Sequence, residues 1–265
     1  TEPGSSNPNF TKHVICPNHA EGNNEPFQFK YQFVRNDYLV ESSNPVDMGE
    51  NIQNCGNSYC YPWYEAYKAD QGIRNLIIAN TGLHVKEADK FRENFHDFVQ
   101  NIDLFQQEKT SLQNNDIVMF RTSVPGHFGC EIPSLKPFSD YTEYAKFDAK
   151  IVDTMNQSIL NKYRWNNMFE YNDEVATSLY KRRNMDWSSR RQVNPDPGKK
   201  ALIEILDVLP MTILRRDGHI GDEFKPDPVP AGDCLHYALP GPIDWWNHLL
   251  YSNLKDIYFQ ESTRL

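Results

Sequence analysis

Residues 232–241 read GDCLHYALPG, placing Asp233 three residues before His236 with glycine or proline at both ends. An imidazole becomes an effective general base when a carboxylate accepts its Nδ1–H and stabilises the imidazolium. One tight turn can bring that about at a spacing of three, and Nε2 of His236 is then left to take a proton from a nucleophile. A surface D-x-x-H with no role is the alternative, since the spacing is common. Gly232, Pro240 and Gly241 shape a rigid loop and favour the chemical reading.

Three further stretches carry residues of interest. In NTGLH (80–84), the Asn80 amide and the Gly82 N–H could donate to a developing oxyanion; otherwise Asn80 caps the next helix. RTSVPGHFGC (121–130) supplies Arg121 and His127. Arg121 suits a carboxylate or a sugar hydroxyl, or serves as a buried structural arginine. HVICPNH (13–19) gathers His13, Cys16 and His19, but no fourth ligand is spaced to complete a tetrahedral zinc set, so no metal is expected. There is no Walker motif and no G-x-G-x-x-G, so no nucleotide or other cofactor is expected.

The elements that must position these loops follow from hydrophobic spacing. FQFKYQF alternates over Phe27, Phe29, Tyr31 and Phe33 and reads as a strand. NLIIAN (75–80) and DIVMFRT (116–122) are short apolar runs of the buried parallel kind, and ALIEILDVL (201–209) reads as a helix end or a strand, with a strand near Ile203 to Val208 favoured. Helical spacing of three and four places Phe91, Phe95, Phe98 and Ile102 on one face of a helix over 86–106. Similar spacing predicts a helix from about Tyr141 to Tyr163, and another from Pro242 to Leu254 with proline at its start. Strands alternating with long amphipathic helices give a doubly wound, mostly parallel α/β sheet with helices on both faces. Ligands bind such sheets beyond the carboxyl ends of the strands, where the Gly- and His-bearing loops fall. Residues 1–26 read as an irregular N-terminal segment and 27–265 as one domain. The basic stretch YKRRNMDWSSRRQVNPDPGKK (180–200) reads as a solvated insertion or loop, with a polyanion contact as the minor alternative.

Composition narrows the partners. The chain has 265 residues, 13% aromatic and 39% hydrophobic, enough for a full core. A net charge of -9 argues against nucleic acid, which needs a basic footprint. No apolar run approaches the roughly 18 residues of a membrane helix, and the first ten residues have no signal-peptide pattern. Five cysteines, at 16, 55, 60, 130 and 234, leave one unpaired within the chain. Acceptor sequons begin at Asn9 and Asn156, and together with the cysteines they point to an oxidising secretory setting, Golgi lumen or extracellular.

Taken in order, NLIIANTGLHV, VMFRTSVPGHFGC, LRRDGHIGDEF and DCLHYALPGPIDWWNHLLY resemble the C-terminal blocks of one family. It is the PC-esterase branch of the SGNH/GDSL hydrolases, above all the plant trichome-birefringence-like polysaccharide O-acetyltransferases. There the blocks read roughly N-T-G-H-W-W, F-R-T-x-S-P-x-H-F, R-x-D-G-H and D-C-x-H-W-C-L-P-G-x-x-D-x-W-N. The resemblance runs from about residue 27 to about residue 254. It implies Asp233 and His236 as acid and base of a Ser-His-Asp triad, Asn80 as oxyanion donor, and Arg121, His127 and His219 lining a site for a glycan or acetylated polysaccharide. It also implies a disulfide between Cys130 and Cys234, pinning the catalytic loop to the strand of Arg121.

The departures are as informative. The family nucleophile is the serine of a G-D-S block upstream of everything matched, and no G-D-S occurs in this sequence. Only Ser42 and Ser43 stand in a remotely similar context. Tyr237 and Ala238 replace Trp and Cys, and LHV, with His84, replaces H-W-W. Two explanations follow. Either the serine arrives on a separate, associated upstream fragment, or the chain is an inactive extracellular structural or interaction protein. A doubly wound sheet without its first strand would leave unpaired backbone groups, which favours the first.

Overall fold

Alternate residues of one central strand build two cores, and that division organises the chain. The computed structural model describes residues 10–16, 27–33, 39, 63, 75–83, 85–108, 116–127, 130, 136–154, 165, 167–189, 202–221 and 233–262. Strands β1 (Phe10–Cys16) and β2 (Phe27–Phe33) form an antiparallel pair. β3 (Leu76–Ala79), β4 (Ile117–Arg121) and β5 (Leu202–Leu206) form a parallel sheet in that order. Helices α1 (Ala88–Glu108) and α2 (Tyr141–Thr154) follow β3 and β4, and α3 (Asn167–Ser189) leads to β5. The short α4 (Leu209–Thr212) and a 3-10 turn (Arg216–Gly218) lead to β6 (His219–Gly221). β6 pairs antiparallel with β7 (Asp233–Tyr237), and α5 (Pro242–Ser262) closes the described chain.

Val118 and Phe120 face α1 and α3, where Phe91, Phe95, Phe98, Ile102, Met168 and Val175 are buried against them. Ile117 and Met119 face the other way, onto Ile243, Trp246, Leu250 and Leu254 of α5. Strand period two and helix period near 3.6 thus produce the doubly wound architecture expected from the sequence. β3 is less covered: Leu76 and Ile78 remain 43% and 47% exposed.

The helix termini explain their own positions. Ahead of α2, Asp140 accepts a hydrogen bond from the Glu143 N–H at 2.9 Å, while Glu143 receives the Ser139 N–H and hydroxyl at 2.7 and 2.8 Å. At α5, Pro242 needs no N–H in the first turn, and Asp244 reaches back to the Gly241 N–H at 2.7 Å.

Two segments differ from the sequence reading. β1 lies inside the segment expected to be irregular: the Phe10, Val14 and Cys16 alternation, set among glycines and prolines, registers with Phe33, Phe29 and Phe27 of β2. The basic stretch from 180 does not begin as a loop, because α3 runs on to Ser189. Arg182 grips Asp103 of α1 with two hydrogen bonds of 2.6 and 2.8 Å, so part of the basic run is a helix–helix contact. Asn9, His19, Ser42, Ser43, Cys55, Cys60, His84, Asn156 and Gly232 lie outside the described residues.

Candidate functional site

β7 places Asp233 and His236 on a half-open strand. His236 Nδ1 lies 2.8 Å from Asp233 Oδ2, while Asp233 Oδ1 accepts the backbone N–H of His236 at 3.1 Å and of Leu235 at 3.2 Å. The carboxylate therefore fixes the imidazole and the backbone that carries it. The His236 side chain is 69% exposed and that of Asp233 28%, so Nε2 is open to a reacting group. Burial pushes the Asp233 carboxyl up, but the backbone N–H and ring of His236 outweigh this and leave it below its usual range. The paired, ionised carboxylate is what a histidine base needs.

The strand is tied down from behind. Cys130 and Cys234 form a disulfide across 104 residues, and the His127 N–H donates to the Cys234 carbonyl at 3.1 Å. Gly126 is required at this approach: a Cβ there would stand 2.5 Å from the Cys234 oxygen and 2.5 Å from the Trp165 ring.

His127, in the loop after β4, and His219, the first residue of β6, are buried, 2% and 8% exposed. His127 Nδ1 meets His219 Nε2 at 2.7 Å, His127 Nε2 donates to the Ile213 carbonyl at 2.7 Å, and His219 Nδ1 lies 3.1 Å from the His236 carbonyl. Both rings spend their nitrogens on partners inside the protein. Burial lowers both to about 4.

Asn80 and Arg121 meet at the carboxyl ends of β3 and β4. The Asn80 amide donates to the Arg121 carbonyl at 2.8 Å and the Ser123 hydroxyl at 3.1 Å, and its oxygen accepts from the Arg121 guanidinium. Both amide protons are engaged, so in this arrangement Asn80 braces two strands and has none left for an oxyanion. Gly82 adopts a φ of 133°, and a Cβ there would lie 2.9 Å from Ser123 Oγ. Among the described residues, no hydrogen bond joins Asn80 or Gly82 to Asp233 or His236. Arg121 lies 4.8 Å from the Trp246 ring and has no carboxylate partner among the described residues. Desolvation lowers it to about 10. Trp246 packs against Tyr237, and Tyr237 stacks on His219 at 4.2 Å, connecting the strand ends to β7 through rings. Thr122 and Thr212 carried no signal in the sequence, and Tyr237 entered only as the residue standing where the family has Trp. Thr122 ties β4 to Asp207, Val208 and Leu209, and Thr212 accepts the Trp246 indole N–H at 2.7 Å. These are long-range pairings that spacing does not encode.

A parallel sheet wrapped by helices, with an aspartate-held histidine beside it, is an SGNH-like α/β arrangement. The chain belongs to the PC-esterase family, the GDSL/SGNH-like acyl-esterases found in Pmr5 and Cas1p, which it matches over residues 63–253. It is 43% identical over 60 residues to xyloglucan O-acetyltransferase 1 of Arabidopsis thaliana, covering 20% of this chain and 14% of that protein. Against xyloglucan O-acetyltransferase 1 of Populus trichocarpa it is 38% identical over 71 residues, covering 24% and 17%. A longer match, 27% over 151 residues, is to protein trichome birefringence-like 24 of Arabidopsis thaliana, covering 52% and 29%. The chain thus spans no more than 29% of the length of these relatives. No solved structure matches it.

Proposed function

We propose that this chain carries the acid–base half of a Ser-His-Asp acyl-ester site acting on O-acetylated polysaccharide or glycoprotein glycans, as acetyltransferase or acetylesterase. His236 takes the proton of a serine that attacks the acetyl carbonyl, and Asp233 holds His236 and balances the imidazolium. Return of the proton to the departing sugar oxygen leaves an acyl-serine. A second sugar hydroxyl, or water, then attacks it with His236 again as base. The 2.8 Å contact between His236 Nδ1 and Asp233 Oδ2, with Nε2 exposed, carries this reading. The similarity to xyloglucan O-acetyltransferases supports the substrate class.

The serine comes from a G-D-S segment outside this sequence, since none lies within it. The exposed Leu76 and Ile78 of β3 offer an apolar sheet surface beside which such a segment can pack. The setting we assign is the secretory pathway or the extracellular space. The missing serine also favours a second reading, an inactive structural or interaction protein on the same fold.

Intact-mass measurement of the native protein, with and without reduction, combined with labelling by a serine-directed fluorophosphonate, separates the two. The enzyme reading expects label on a companion serine, lost on His236→Ala. Label that persists in that variant overturns His236 as base, and a lone unlabelled chain establishes the inactive reading.

A further inference from the structure

Two carbonyls bracket the buried imidazole pair. The Ile213 oxygen lies 2.7 Å from His127 Nε2, the two rings meet at 2.7 Å, and His219 Nδ1 lies 3.1 Å from the His236 oxygen. Carbonyl oxygens only accept, so three hydrogen bonds in this row need three ring protons. Two neutral imidazoles bring two. With two protons, one of the three contacts is left without one; when the two short contacts are filled, Nδ1 of His219 faces the His236 carbonyl bare. A third proton, held by the pair as one positive charge, makes that contact a charge-assisted hydrogen bond.

We propose that His127 and His219 are positioning residues that work as one imidazole pair, holding the catalytic turn through the His236 carbonyl and tightening that hold on uptake of a single proton. The inference rests on His236 being the base proposed above. The opposite side of the same residue is already held, since its N–H is bound by Asp233. Setting the carbonyl as well leaves the His236 backbone little freedom to swing the ring off its line to the nucleophile.

Several elements packed against the pair bring charge or polarity to it, while Phe138 meets His127 with an apolar ring at 5.9 Å. Tyr144 of α2 meets His127 edge-on at 6.1 Å, and Tyr237 of β7 stacks on His219. Arg216 of the 3-10 turn opposes added charge, while Asp217 of that turn and Asp233 of β7 favour it. Desolvation is the largest influence and holds uptake to acid conditions. The two rings also oppose each other's charge, so they accept one proton jointly before a second.

Nitrogen-15 and carbon-13 NMR of the isotopically labelled chain, titrated downward from neutral pH, tests this without reference to turnover. Both rings are expected to shift through one shared midpoint with net uptake of one proton, and the His236 carbonyl carbon to shift at that same midpoint. His127→Asn should abolish the carbonyl shift. Two independent titrations, or a His236 carbonyl that does not respond in the unaltered chain, would overturn the proposal even if the variant does not fold. Absence of acyl-ester activity would sink the proposed function and leave this result standing.

Discussion

The chain contains two histidine arrangements within one strand of each other, and they are opposites. His236 stands in solvent beside a carboxylate, whereas His127 and His219 are buried beside each other and two peptide carbonyls. The first environment places a carboxylate against the ring nitrogen. The second resists a proton, because burial penalises the imidazolium. Partner and solvation, not residue type, separate the two: one imidazole is exposed beside a carboxylate, and the other two are buried and bonded to each other and to peptide carbonyls.

The comparison can be broken most sharply at the exposed pair. In the assembled, labelling-competent protein, His236→Ala should lower acyl transfer by on the order of 10⁶-fold, and Asp233→Asn by roughly 10⁴-fold. Fluorophosphonate labelling rates measure both, with circular dichroism unchanged. If either substitution leaves the rate intact, the exposed pair is not the working one.

Removing the tether between the two arrangements comes next. Replacing Cys130 and Cys234 together by serine should cost about 2–5 kcal/mol, read as a fall in the thermal midpoint. The buried pair makes stability pH-dependent in a definite direction. Both imidazoles have folded pKa values of about 4, against an ordinary value of 6.5. The unfolded chain therefore binds more protons between those values, and stability present above pH 6.5 is lost as the pH falls toward 4. Urea unfolding at a series of pH values should show this, and His219→Asn should flatten the slope. Gly126→Ala should cost roughly 1–3 kcal/mol by forcing Trp165 and the Cys234 peptide apart. The smallest effect is expected from Arg182→Ala, remote from both pairs, at about 1 kcal/mol with labelling unaltered.

Local contacts were legible in the sequence and distant ones were not. The Asp233–His236 interaction is a local contact that three-residue spacing can express, although it forms at the start of strand β7 and not in the tight turn the spacing suggested. The apolar faces of α1 and α5 and the buried run of β4 follow from periodicity alone. His127 and His219 are 92 residues apart, and nothing in their flanks shows that each satisfies the other. Asn80 looked like a free donor because its partners, the Arg121 carbonyl and Ser123, come from the next strand. The basic run misled because charge at helical spacing reads as solvated until its counter-charge on α1 is seen. The Cys130–Cys234 link entered through family resemblance, and the structure contains it.

That link also gives the acid–base turn a dependence on milieu. In a thiol-rich compartment the covalent strap from the β4 loop to β7 would open, leaving the backbone bond from His127 to Cys234 and the neighbouring packing to keep the turn in place. The placement of the Asp233–His236 pair is then coupled to address: the strap that holds its strand is closed where oxidants prevail and open where reductants do.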